Sequence, residues 1–160
     1  MGRVIDVSTG KVRVARAGVT LRSVAIGSCI VVAAYDSSKK VGAMAHIMLP
    51  GRAPKKTSQK TKYAADAIEK LVDKITRAGS SKDALEVCLV GGGNVLRKQD
   101  DTICKDNIES TTRLLEDRNI PIRATVLGGT ERKGVSLDVG KGTVSYTEGE
   151  KREKLLWKAS

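Results

Sequence analysis

At 160 residues, 40% of them hydrophobic, the chain can bury one core but is short for two, so residues 1–160 are expected to form a single domain. Aromatics make up 2% and Phe is absent, which leaves Val, Ile, Leu and Ala to build that core. Three unevenly spaced cysteines without a CxxC speak against a disulfide framework or a zinc site. No apolar run approaches the ~20 residues of a membrane-spanning helix, and no secretory h-region opens the chain, so a soluble cytoplasmic protein is expected.

In chain order, Lys11–Arg16 and Val19–Ile26 alternate like strands. The segment Cys29–Leu49 holds two apolar runs around a polar Asp36-Ser37-Ser38-Lys39-Lys40 cluster, the pattern of a β-hairpin. Gly51–Thr61 is rich in Gly, Pro, Lys and Ser and is expected to be a mobile flap. Tyr63–Ala78 sets Ala64, Ala67, Ile68, Leu71, Val72 and Ile75 at helical spacing, with Gly79 after its end. Leu85–Val90 is a short apolar run, the pattern of a buried strand. A second helix is expected over about Lys105–Arg118, facing inward with Ile108, Thr112, Leu114 and Leu115. Ile122–Leu127 reads as a strand, and Val135–Val139 with Thr143–Tyr146 as a last hairpin. Lys151–Ser160 is charged and expected to be a frayed or helical tail. Together these predict an α/β layered sandwich of mixed, largely antiparallel sheet with two main helices.

The hairpin carries the chemistry. The single histidine, His46, follows Cys29 by 17 residues. A turn centred on Ser37-Ser38 would set the two face to face, with Cβ atoms roughly 4.5–5.5 Å apart. A thiol and an imidazole that close can share a proton, the minimum for a cysteine nucleophile. An odd-length loop would instead turn the imidazole to the opposite face, and a cysteine at a strand start can equally be packing. Gly91-Gly92-Gly93-Asn94 matches neither phosphate-binding glycine pattern and reads as a tight turn. Cys88 sits within an apolar strand. Cys104, near a helix start, could have a depressed pKa but has no second histidine to serve it. Asp36 reads as a turn residue.

The strings Ile26-Gly27-Ser28-Cys29, Tyr35-Asp36 and Gly42-Ala43-Met44-Ala45-His46-Ile47-Met48-Leu49-Pro50 resemble the signature of the CheD family of chemoreceptor glutamine deamidases. The likeness extends over roughly residues 10–150. It includes Lys62-Tyr63-Ala64-Ala65-Asp66-Ala67, Val90-Gly91-Gly92-Gly93, Gly128-Gly129 and the strand pair around Gly140 and Gly142. Where the family has Thr six residues before its nucleophile, this chain has Ser23, with Thr20 a nearby alternative. Gly93-Asn94-Val95-Leu96, Ile103-Cys104 and the stretch Gly129–Gly134 also depart from the family pattern.

The resemblance implies a cysteine amidohydrolase that turns receptor glutamines into glutamates. Cys29 would be the nucleophile, His46 the base and Ser23 the group orienting the imidazole. Gly27, Ser28, Gly91 and Gly92 would line the site or supply oxyanion donors. Cleavage of a glutamyl methyl ester would follow the same steps, and no metal or cofactor is required. The implied partners are chemoreceptor helices and a CheC-type phosphatase; a catalytically weak adaptor docking to either is the alternative. The net charge of +11 raises nucleic-acid binding, yet the basic residues are spread out except over Arg52–Lys62 and no aromatic platform exists. Steering toward acidic receptor helices or a simply solvated surface explains the charge as well.

Overall fold

Two adjacent strands, β4 (Ile30–Asp36) and β5 (Val41–Ile47), are apolar almost without a break, and every residue in them is buried. Strands with no polar face must be covered on both sides, and that requirement sets the architecture of the computed structural model, which describes residues 2–160. One face of β4 and β5, with Ile30, Val32, Ala34, Ala43, Ala45 and Ile47, packs under helices α1 (Ala64–Arg77) and α2 (Ile103–Asp117). The other face, with Val31, Ala33, Tyr35 and Met44, packs against a second sheet.

The helix-covered sheet runs β2-β5-β4-β6-β7, adding β2 (Val12–Arg16), β6 (Glu86–Gly91) and β7 (Ile122–Leu127). The second runs β1-β3-β8-β9-β10, from β1 (Arg3–Asp6), β3 (Val19–Ile26), β8 (Lys133–Asp138), β9 (Thr143–Glu148) and β10 (Lys154–Lys158). Pairing is antiparallel except for β1 with β3 and β6 with β7. The fold is thus the expected layered α/β sandwich of mixed, mainly antiparallel sheet.

The hairpin register differs from the sequence expectation by two residues. Ile30 pairs with Ile47, Val31 with His46 and Asp36 with Val41, so Cys29 lies just outside the ladder and not opposite His46. Asp36 is the reason. It stays in the strand while its carboxylate accepts from the Ser38 N–H (2.9 Å), the Ser38 hydroxyl (2.7 Å) and the Lys39 N–H. Lys40, at φ 52°, then closes a four-residue turn. An even displacement keeps alternate side chains on their face. Cys29 and His46 therefore share the inter-sheet side, where Cys29 packs on the second core and His46 pairs with that core's Val31.

Helix α1 matches its predicted span and is followed by Gly79 in a left-handed conformation, φ 106°. Helix α2 is rotated from the predicted face: Cys104, Asn107, Thr111 and Leu115 are buried, while Ile108, Thr112 and Leu114 are half-buried. Strand β10 replaces the expected frayed or helical tail. Its Leu156 and Trp157 need cover and find it on the inter-sheet core, beside a bulge between Leu155 and Trp157. The basic segment is a strap and not a free flap. Arg52 grips Glu69 with two hydrogen bonds (2.8 and 3.0 Å), Asp66 accepts from the Ala53 N–H (2.7 Å), and Ser110 Oγ accepts from the Gly51 N–H (2.9 Å). No helix among the described residues is long and apolar enough to cross a membrane.

Candidate active site

Between β3 and β4 the chain crosses from one sheet to the other, and this crossing carries the thiol. The β3 ladder is interrupted after Ser23, with Ala25 at φ 54°, before Ile26 resumes pairing; such a bulge re-aims a strand end. The three carbonyls of the following loop are all held. Gly93 N–H donates to the Gly27 carbonyl (2.9 Å) and Gly92 N–H to that of Cys29 (2.8 Å). The Asn107 side-chain amide donates to the Ser28 carbonyl (2.9 Å) and also to that of Met48 (3.1 Å). Gly91, at φ 137°, permits this contact, because a Cβ there would lie 2.1 Å from the Cys29 oxygen.

These bonds decide which amides are free. The Gly92 and Gly93 N–H groups are spent on the Cys29 loop, so neither can also donate to a ligand, and Gly91 and Gly92 wall the loop. The N–H groups of Ser28 and Cys29 donate to no backbone carbonyl among the described residues.

His46 is 5% exposed near the end of β5. Its Nδ1 lies 3.1 Å from the Val7 carbonyl. A carbonyl only accepts, so Nδ1 carries the proton and Nε2 is the free base. Ser23 makes no hydrogen bond to the ring. Its hydroxyl donates to the same Val7 carbonyl at 2.7 Å and lies 3.5 Å from Met44 Sδ. Thr20 sits elsewhere, three residues back on β3, where it pairs with Val4 and Asp138 on the opposite face from Ser23.

Burial dominates both titrations. It pushes the Cys29 thiol up, with the Thr9 hydroxyl pulling the other way. It pulls the His46 imidazole down, against the Val7 carbonyl. At neutral pH the resting pair is therefore thiol and neutral imidazole. The other thiols are less available. Cys88, buried in β6, is pushed up to about 12 and Cys104 to about 11, by burial first. A depressed Cys104 is thus not found: burial and the neighbouring Asp101 outweigh its place at a helix start.

Two openings flank the loop. A cavity of about 180 Å³ reaches His46 between Val7–Thr9 and Arg22–Val24, rimmed by the Arg22–Asp6 ion pair (2.8 Å). A cleft of about 300 Å³ opens beside Gly27 and Ser28, walled by Gly93–Leu96 and Arg132. A larger groove of about 490 Å³, between Pro50–Arg52 and α2, includes none of the candidate residues.

Val7, Thr9 and Asn107 were not singled out by the sequence pattern. Val7 acts through its main chain, which no side-chain motif reveals. Ser8-Thr9-Gly10 forms a turn that clamps β5, with the Gly10 N–H donating to the His46 carbonyl (2.8 Å). Asn107 and Thr111, polar at helical spacing on an otherwise apolar face, were the available sign that α2 does more than pack.

Known proteins resemble this chain along most of its length. The family model for CheD, chemotactic sensory transduction, matches residues 48–148, a span that begins just after His46. A probable chemoreceptor glutamine deamidase CheD of Chlorobium luteolum is 42% identical over 93% of this chain and 75% of its own. One of Methanococcus maripaludis strain C6 is 32% identical over 91% and 96%. The chemoreceptor glutamine deamidase CheD of Thermotoga maritima is 33% identical over 73% and 74%.

Proposed function

This chain belongs to the CheD family, and from that membership we propose that it hydrolyses glutamine side-chain amides of chemoreceptors to glutamate, with Cys29 as nucleophile and His46 as base. The observation that carries the proposal is the lock on His46. With Nδ1–H committed to Val7, the basic Nε2 remains available to a thiol on the same face of the sheet.

The resting pair is neutral, so proton transfer accompanies attack and does not precede it. As the Cys29 sulfur bonds to the carboxamide carbon, Nε2 of His46 takes the thiol proton and the carbonyl becomes an oxyanion. The N–H groups of Ser28 and Cys29, which donate to no backbone carbonyl among the described residues, are the donors this reading assigns to that charge. The imidazolium then protonates the departing nitrogen, the C–N bond breaks, and ammonia leaves a thioester. Water, deprotonated by His46, attacks the thioester, and the thiol departs with the proton returned. Ser23 supports this indirectly: it shares the Val7 carbonyl and fixes the atom that orients the ring. A glutamyl methyl ester passes through the same steps with methanol as leaving group. The enzyme works in the cytoplasm, where receptor signalling helices lie, and a CheC-type phosphatase is its regulatory partner.

The test is incubation of the full chain with a receptor cytoplasmic fragment, read by peptide mass spectrometry for conversion of Gln to Glu. Conversion by the native chain and none by Cys29→Ala is the expected result. Equal conversion by the variant would overturn the assignment.

A further inference from the structure

Asn107 is completely buried on α2, a costly place for a carboxamide unless its hydrogen bonds are made. Only its donor end is engaged: Nδ2 serves the Ser28 and Met48 carbonyls, while Oδ1 has no partner among the described residues. Ser28 lies just before β4 and Met48 just after β5, so this one amide closes the hairpin where the ladder stops.

The consequence runs through a peptide plane. The Ser28 carbonyl and the Cys29 N–H belong to the same trans peptide and point in opposite directions. Holding the carbonyl on α2 turns the Cys29 N–H away from α2. The helices cover one face of the β4–β5 sheet, and Cys29 and His46 lie on the other. Gly93 acts in the same way one residue earlier, since its hold on the Gly27 carbonyl aims the Ser28 N–H.

We infer that Asn107 is a positioning residue for amide hydrolysis: by anchoring the Ser28 carbonyl it aims the Cys29 N–H at the oxyanion. The inference rests on the reading of Cys29 as nucleophile, and the two are separable by chemistry. Attack on a carboxamide builds an oxyanion and needs the aimed donor. Displacement of iodide from iodoacetamide by the same sulfur occurs at a saturated carbon and needs none.

The experiment compares the native full chain with Asn107→Asp and Asn107→Leu, both close to Asn in size. Ammonia release from a receptor cytoplasmic fragment is measured beside the rate of Cys29 alkylation by iodoacetamide. Removing an oxyanion donor outright costs about 10²–10³ in kcat, so misaiming one is expected to cost about 10–10². KM and the alkylation rate should stay within about twofold of native. If the buried charge of Asn107→Asp prevents folding, Asn107→Leu carries the comparison. Retained kcat in a folded variant, or alkylation falling in step with kcat, would overturn the inference and reduce Asn107 to a packing residue. Ammonia release persisting in Cys29→Ala would instead overturn the nucleophile assignment, and this inference with it.

Discussion

A single carbonyl, that of Val7, receives both the imidazole Nδ1–H and the Ser23 hydroxyl. Ser23 therefore acts on the ring at one remove, and its loss should be milder than loss of a direct partner. Ser23→Ala is expected to lower kcat/KM about tenfold, against roughly 10²–10⁴ for the general base itself, while Thr20→Ala stays native. The profile of kcat/KM against pH checks the same arrangement. Because burial lowers His46, its neutral, basic form persists below the ordinary imidazole value of 6.5. The acid limb should accordingly fall below that value, and a limb above it would contradict a buried base. The sign for stability is the same: this group's contribution is intact above 6.5 and is lost as pH falls through the depressed folded value. Cys29, His46 and Ser23 were all legible as residue types in a motif. Their wiring was not, because the atom joining two of them is main chain and lies in the loop just past β1, a strand that offers only four residues of pattern.

At the scale of elements, what turns a hairpin into a site is the glycine turn after β6. Gly91 cannot carry a side chain without displacing the Cys29 carbonyl, whereas Gly79, also at positive φ, faces open space. Gly79→Ala should show backbone strain alone, of order 1 kcal/mol, and Gly91→Ala about 3 kcal/mol or more from strain plus collision. Urea unfolding midpoints measure both, and only Gly91→Ala should lose ammonia release. Equal midpoints would mean that the turn yields freely. Helix α1 and the central strands could be read from periodicity because burial there follows one rule. The hairpin register could not, since Ser37-Ser38 and Ser38-Lys39 are equally good turn centres until Asp36 is seen to bond forward from within the strand. Strand β10 was hidden for a related reason: the charges around Leu155-Leu156-Trp157 suggested solvent, and only the neighbouring sheet supplies the surface that Trp157 covers.

Over the whole molecule, a net charge of +11 sets a long-range field. Part of the basic strap is neutralised locally, where Arg52 pairs with Glu69 and Asp66. Lys55, Lys56 and Lys60 remain exposed. If this field steers acidic receptor helices, raising NaCl from about 50 to 300 mM should lower kcat/KM several-fold through KM, with kcat unchanged. A flat response would leave the charge as a solubility feature.

The imidazole rides on one sheet, and the carbonyl that orients it belongs to a loop tied to the other, where the Val7 N–H donates to the Arg22 carbonyl (2.7 Å). The tautomer of the base is thus a gauge of how the two sheets are seated. Residues such as Leu21, Val31 and Leu137, far from any reacting atom, act as shims between two plates, and a change in their thickness moves the proton acceptor before it loosens either plate.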